Sequence, residues 1–215
     1  MTPTCTCLPR STRLGTHRQG RSLPAPRDVM LAYDVFGANC GPAAFAAALT
    51  LDVCDVMAFF DHFPFRDHTD LSDMICALER CCIDHEVAKE VPSFGLLLVQ
   101  LEGPWTAYGY ARRWAGQFTH WVAVSGDDVY DINAGAWMPE RVWQEKVLAA
   151  LIRQTPRATG WTVKRGIAIH PQEFSPESVV PGLNWGHRDG GSPACAGPHC
   201  GRAEGRRRPS VGSLS

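Results

Sequence analysis

The spacing of apolar residues divides the chain into a helical first part and a strand-rich second part. Apolar positions recur at helical spacing in three segments, 43–51, 53–60 and 71–82. Gly41 and Pro42 open the first segment, and proline is well tolerated in the first turn of a helix, so we expect that helix to begin at or beside Cys40. Asp70 precedes the third segment and is expected to cap it.

After residue 94 the spacing becomes that of β-strands. A nearly continuous apolar run predicts a buried strand, and two alternating runs on either side of Gly126-Asp127 predict a β-hairpin with a tight turn. A helix is expected to open at Pro139-Glu140 and to end near Gln154. The predicted strands are 95–101, 120–125, 128–133 and 161–169. Helices followed by an antiparallel sheet indicate an α+β fold.

Composition places one folded domain between two polar tails. Residues 1–27 are rich in Arg, Pro and Gly and contain no Asp or Glu, which predicts a disordered basic tail. Residues 28–181 have the pattern of a folded domain, and residues 182–215, rich in Gly, Pro and Arg, are predicted to be a second disordered tail. The formal net charge of -1 argues against a nucleic-acid binder.

The cysteines and the apolar runs bear on the compartment. The chain has nine cysteines, an odd number, so a secreted disulfide framework is not expected and a reducing cytoplasm fits better. No apolar run reaches the length of a membrane span. The histidines and acidic residues match no common ligand spacing, so no metal site is expected. Four cysteines in helical patterns are interpreted as small core residues: Cys54, Cys76, Cys81 and Cys82.

Cys40 is the first candidate for a catalytic residue. A thiolate is the reactive form of cysteine, and the unpaired N–H groups and the dipole at a helix N-terminus lower the pKa of a thiol there. The sequence Asn39-Cys40-Gly41-Pro42 places Cys40 at such a position. Its own backbone N–H could also face a developing oxyanion.

The predicted hairpin supplies a partner for this cysteine. If Gly126-Asp127 is a two-residue turn, the register places Val122 opposite Asp131 and His120 opposite Asn133. These four side chains then share one face of the sheet, and an Asn or Asp oxygen can accept a hydrogen bond from the imidazole. Asn133 is ranked ahead of Asp131 because it lies opposite His120 in this register.

These motifs and their order resemble a known family. The segments Asn39–Ala43, His120–Val124 and Val129–Asn133 resemble papain-like cysteine peptidases. They are most similar to the group typified by the bacteriocin-processing, double-glycine leader peptidases and their stand-alone relatives. The resemblance covers roughly residues 34–135. It implies a papain-like fold, with N-terminal helices packed on a C-terminal antiparallel sheet.

The resemblance also implies roles for the matching residues. Cys40 would be the nucleophile and His120 the general base and acid, with Asn133 or Asp131 orienting the imidazole. A peptide or protein would be the substrate, no cofactor would be needed, and the oligomeric state is left open.

One position departs from the family pattern. The family usually has a Gln six residues before the Cys, where it donates to the oxyanion, whereas this chain has Asp34, which cannot donate when ionised. Asn39 is the alternative donor. The departure keeps three alternatives open: a deamidase, an acyltransferase, or a catalytically silent domain that binds a peptide or protein. Trp105, in an aromatic and basic segment, and Trp121, next to His120, are candidates for binding substrate.

Overall fold

In the computed structural model, the described residues are 23–37, 40–60, 68–107 and 116–170, and they form an α+β structure. Four helices come first along the chain. They are α1 (Val29–Phe36), α2 (Cys40–Leu49), α3 (Val53–Val56), which continues into a 3₁₀ turn (Met57–Phe59), and α4 (Leu71–Arg80). Helix α2 begins at Cys40, as the Gly-Pro signal predicts.

Six strands follow and form one antiparallel sheet with the order β1-β6-β2-β3-β4-β5. A helical segment lies between β5 and β6: α5 (Glu140–Val142), a π-helical stretch (Trp143–Leu148) and α6 (Ala149–Gln154). The strands are β1 (His85–Ala88), β2 (Phe94–Glu102), β3 (Thr119–Ser125), β4 (Asp128–Asp131), β5 (Ala136–Pro139) and β6 (Gly160–Ile169).

The sheet separates two apolar cores. Helix α2 packs on one face, and its residues from Gly41 to Leu49 are all buried because the alanine-rich sequence lets the backbone approach the sheet closely. Trp143 and Leu148, from the segment between β5 and β6, pack on the opposite face with Trp105. Alternation along β3 sends Trp121 into the first core and Val122 into the second.

Two local predictions are confirmed in atomic detail. Asp70 caps α4 through a capping box, in which its carboxylate accepts from the Asp73 N–H and the Asp73 carboxylate accepts from the Asp70 N–H, both at 2.9 Å. The hairpin has the two-residue turn expected, with Ser125 paired with Asp128 and Gly126 in the left-handed region at φ 58°.

The predicted disordered start is too long at its C-terminal end. Leu23 and Ala25 pack against the core on the α2 face, and the Trp137 indole N–H donates to the Pro24 carbonyl at 3.3 Å. Apolar residues at 23–26 explain the difference, since they gain from burial. Residues 1–22 and 182–215, assigned to tails, lie outside the described residues, as does the end of the folded region from 171 to 181.

Cys81 is buried as expected of a core residue, but Cys82 is not. Cys82 is exposed and disulfide-bonded, which the interpretation as a small core residue missed. Its backbone lies in the left-handed region at φ 52°, just after α4. The predicted helical segment therefore extended two residues too far, past the end of α4 at Arg80.

Within the part of the chain that the structure describes, no single helix has both the length and the apolar character needed to cross a membrane. One bent pair, Cys40–Leu49 with Val53–Phe59 at 104°, meets the criteria of length and composition. Both members of this pair contribute residues to the core on the α2 face.

Candidate active site

The Cys40 thiol lies where the ladder between β3 and β4 ends. Pairing between these strands stops at Ala123 and Tyr130, so β4 supplies no partner for the next N–H of β3, that of Trp121. The Trp121 N–H instead donates to Cys40 Sγ at 3.3 Å. Cys40 is only half-buried and is a free thiol.

His120, the second residue of β3, connects the thiol to a carboxylate. Its side chain is buried, with 6% of the residue exposed. Its Nε2 bonds Asp131 Oδ2 at 2.8 Å, and its ring also hydrogen-bonds the Cys40 thiol. Because Nε2 is bonded to Asp131, Nδ1 is the ring nitrogen left for sulfur.

Asp131, the last residue of β4, is completely buried and accepts four hydrogen bonds. Oδ2 accepts from His120 and also from the indole N–H of Trp143 at 2.8 Å. Oδ1 accepts from the backbone N–H of Asn133 at 2.8 Å and from its side-chain Nδ2 at 3.1 Å. The four bonds satisfy the buried anion.

The ranking of Asn133 ahead of Asp131 is therefore wrong. Asn133 lies in the turn at 132–135, beyond the end of β4, so the hairpin register does not extend to it. It is exposed and bonds the carboxylate, whereas Asp131 bonds the imidazole. The structure thus brings together Cys40, His120 and Asp131, with Asn133 supporting Asp131.

The electrostatics of the site favour a thiolate beside an imidazolium. Burial opposes ionisation of Cys40, but the charge and hydrogen bond of His120 and the bond from the Trp121 N–H together lower the pKa of the thiol below its ordinary 9.0. Burial likewise opposes the charged form of His120, yet the Cys40 thiolate and the hydrogen bond to Asp131 raise its pKa to about 10.

Asp131 remains ionised in this arrangement. Burial alone would raise the pKa of its carboxyl, but the hydrogen bond and charge of His120 and the bond from Trp143 lower the pKa below 3.8. The shifts therefore favour negative, positive and negative charge in sequence from sulfur to carboxylate. An activated cysteine nucleophile has this arrangement of charges.

The two oxyanion candidates have different outcomes. Asp34 is exposed on α1, and Asn39 lies outside the described residues. Helix α2 starts at Cys40, and the first N–H groups of a helix have no partner within it. The backbone N–H of Cys40, the first of this helix, can face an oxyanion at the sulfur without either side chain.

Neither tryptophan expected to bind substrate is available for it. Trp105 is only 8% exposed, its indole N–H donates to the Leu101 carbonyl at 2.7 Å, and its ring stacks on Phe118. Trp121 is 1% exposed, and its indole N–H donates to the Thr69 carbonyl at 2.8 Å. Both rings pack in the core, although the backbone of Trp121 contacts the thiol.

Sequence reasoning also missed Trp143, which donates to Asp131 from a position twelve residues further along the chain. No local signal pairs these two residues. Among the described residues there is no group of three or more side chains able to hold a metal ion.

Gly41 fixes the start of α2 against Thr69. A Cβ at position 41 would lie 2.5 Å from the Thr69 Cβ, which no side-chain rotation relieves. Alanine normally favours a helix over glycine by about 1 kcal/mol. We expect Gly41→Ala nevertheless to lower the free energy of unfolding, by about 1 to 2 kcal/mol, because overpacking outweighs the helical preference.

Urea unfolding of Gly41→Ala and Gly116→Ala measures this effect. Gly116 is the matched control, since a Cβ there meets nothing within 4 Å. Unchanged or increased stability of Gly41→Ala would show that the contact with Thr69 does not restrain the start of the helix.

Comparison with known proteins adds no relative: no family model, no curated protein and no solved structure matches this chain.

Proposed function

We propose that the chain is a thiol hydrolase with a papain-like fold, which cleaves a peptide or isopeptide-type bond. The observation that carries the proposal is the continuous set of hydrogen bonds from Cys40 through His120 to the buried carboxylate of Asp131. A buried charge is costly, and this arrangement places two buried ionisable groups, His120 and Asp131, beside a half-buried sulfur. A nucleophilic role for Cys40 explains why the fold keeps these groups at the sulfur.

The reaction follows from the charges. The Cys40 thiolate attacks the carbonyl carbon, a C–S bond forms, and the oxygen becomes an anion facing the backbone N–H of Cys40 at the start of α2. The His120 imidazolium then gives its Nδ1 proton to the leaving nitrogen, the C–N bond breaks, and a thioester remains. Asp131 holds the ring in place from Nε2 throughout.

Hydrolysis of the thioester restores the site. Neutral His120 takes a proton from water at Nδ1 while the water oxygen attacks the thioester carbon. The C–S bond then breaks, an acid is released, and the thiolate and imidazolium are regenerated. An amine in place of water would make the same site an acyltransferase, and a primary amide substrate would make it a deamidase.

Selective alkylation tests the proposal, and Cys54 provides a matched comparison. Both cysteines are half-buried free thiols, and each lies in the first turn of a helix. Their neighbours differ in charge: a hydrogen bond to Asp28, burial and the carboxylates of Asp28, Asp55 and Asp52 raise the pKa of Cys54 to about 11. With iodoacetamide at about pH 6, we expect Cys40 to react at least about a hundredfold faster than Cys54.

The pH dependence of alkylation shows in which direction the pKa of each thiol is shifted. A lowered thiol pKa means that the alkylation rate of Cys40 reaches half its maximum below pH 9.0, the ordinary thiol value, whereas the rate of Cys54 reaches half its maximum near pH 11. Peptide mapping by mass spectrometry follows both sites. Equally slow labelling of Cys40 and Cys54 would remove the basis for an enzyme and leave the silent, peptide-binding domain as the better hypothesis.

A second experiment separates the reactions of an active thiol. Peptide libraries incubated with and without an added amine distinguish hydrolysis from transfer by the product at the new carbonyl terminus. Release of ammonia alone identifies a deamidase. Hydrolysed peptide as the main product without added amine is the outcome expected for the proposed peptidase.

A further inference from the structure

The indole of Trp143 shares an oxygen with the catalytic imidazole. Its Nε1 donates to Asp131 Oδ2 at 2.8 Å, the same atom and the same distance as for His120 Nε2. Trp143 is 1% exposed, and its ring packs edge-on against Trp161 with 5.8 Å between ring centroids. The indole therefore bonds Oδ2 from within the core and helps to keep water away from it.

The π-helical stretch explains how Trp143 reaches this position. In an α-helix, residues five apart differ by about 140° in direction and cannot both face the sheet. Trp143 and Leu148 are five apart, and both are 1% exposed in the core on that face. The wider turn, in which the Ala149 N–H donates to the Gln144 carbonyl, brings both side chains to the sheet.

We propose that Trp143 is a positioning residue, which fixes the Asp131 carboxylate and keeps it ionised so that it can hold the His120 imidazolium beside Cys40. This inference rests on the proposed function and adds a residue to its machinery. Trp143 acts through the carboxylate and touches neither the sulfur nor the substrate. The ring N–H groups of Trp143 and His120 both bond Oδ2, while the Asn133 side chain donates to Oδ1.

The other groups around the carboxylate set the direction of the expected effect. The titratable groups that interact with Asp131 are His120 and Cys40 from the site, and Tyr130 from the same strand. None of them supplies the neutral donor that Trp143 supplies. Loss of the indole N–H raises the proton affinity of the carboxylate, which then competes with the imidazole for the shared proton. A His120 ring that carries less of the positive charge stabilises the thiolate less.

Trp143→Phe tests this, with Trp105→Phe as the matched control. Both variants replace a buried indole on the same face of the sheet, and each loses one N–H bond, but the bond of Trp105 goes to the Leu101 carbonyl. The acid limb of the Cys40 alkylation profile is the range in which the rate rises with pH as the thiol ionises. We expect this limb to move to higher pH by about half a unit or more in Trp143→Phe. Trp105→Phe should leave the limb in place.

A merely structural role would produce a different result. It would lower stability in both variants and leave the acid limb of both unchanged, and that result would overturn the proposal. If Trp143→Phe does not fold, site-specific replacement of its indole by benzothiophene keeps the shape of the ring and removes only the N–H. A shifted limb in that protein supports the role of the N–H, and an unshifted limb overturns it.

The two proposals fail in distinguishable ways. Wild-type protein without fast alkylation of Cys40 contradicts the proposed function. Wild-type protein with fast alkylation, together with an unshifted limb in Trp143→Phe, contradicts only the role of Trp143.

Discussion

His120→Ala is expected to slow alkylation of Cys40 at about pH 6 by at least about a hundredfold, and to abolish hydrolysis of any substrate. The imidazolium supplies both the charge and a hydrogen bond that lower the pKa of the thiol. Without it, burial and the charge of Asp131 both act to raise that pKa against the bond from the Trp121 N–H. Rates measured from pH 5 to pH 10 should show the acid limb displaced toward the range of an ordinary thiol.

The matched control for this variant is His85→Ala. His85 is half-buried and bonds the Ile83 carbonyl through Nδ1 at 2.9 Å, so its loss also removes one ring and one hydrogen bond. It lies on β1, at the edge of the sheet, whereas β3 lies inside it. Retention of fast Cys40 alkylation in a folded His120→Ala protein would contradict the assignment of His120 as the activating group.

Asp131→Asn is expected to reduce hydrolysis by at least about a hundredfold, while Asn133→Ala reduces it by less than about tenfold. The substitution at 131 keeps the size of the side chain and removes the charge that helps to raise the pKa of His120. It also introduces an amide that cannot accept on both atoms, although four groups from three residues bond this carboxylate. The imidazole then loses its orientation as well as its charge.

Comparison of these two variants decides which residue is the third member of the site. Asn133→Ala removes only the bond from Nδ2 to Oδ1, because its backbone N–H remains. Single-turnover rates for both proteins, with circular dichroism to confirm folding, provide the measurement. A larger loss in Asn133→Ala than in Asp131→Asn would restore the order that the sequence suggested.

The sequence predicts the cysteine and the histidine of the site better than the third member. Cys40 and His120 could be found because each has a local signal: the Gly-Pro start of a helix and the start of an alternating run before a tight turn. The register of the hairpin near its turn follows from turn chemistry alone, and the pair Ser125 and Asp128 confirms it. The third member required the register to extend to residue 133, and it does not.

A signal for the earlier end of β4 was present. Asn133-Ala134-Gly135 has turn composition, and Gly135 has φ 63°, which glycine adopts readily. The contact between Trp143 and Asp131 had no such signal, since it depends on a π-helical stretch that spacing does not reveal. Helix α1 also had no such signal, because its exposed residues include Met30, Leu31 and Tyr33, so that its spacing does not mark a buried face.

The short outer strands were missed for a related reason. Strands β1 and β5 have four residues each and lie at the two edges of the sheet, where only one neighbour constrains them. Neither contains a fully buried residue, so neither shows the alternation of apolar and polar positions that marks a half-buried strand. Long buried strands such as β2 could be predicted because burial determines their composition.

The early end of β4 has a consequence for turnover. A sulfur atom takes the place of a carbonyl in the backbone ladder, and the Trp121 amide bonds it best when it is a thiolate. In the proposed reaction, acylation converts this acceptor to a thioester, a poorer one, and the amide loses its partner until water releases the acyl group. The Trp121 N–H thus stabilises the sulfur as a leaving group. Its hydrogen bond to the thiolate re-forms when the thioester is hydrolysed, which favours product.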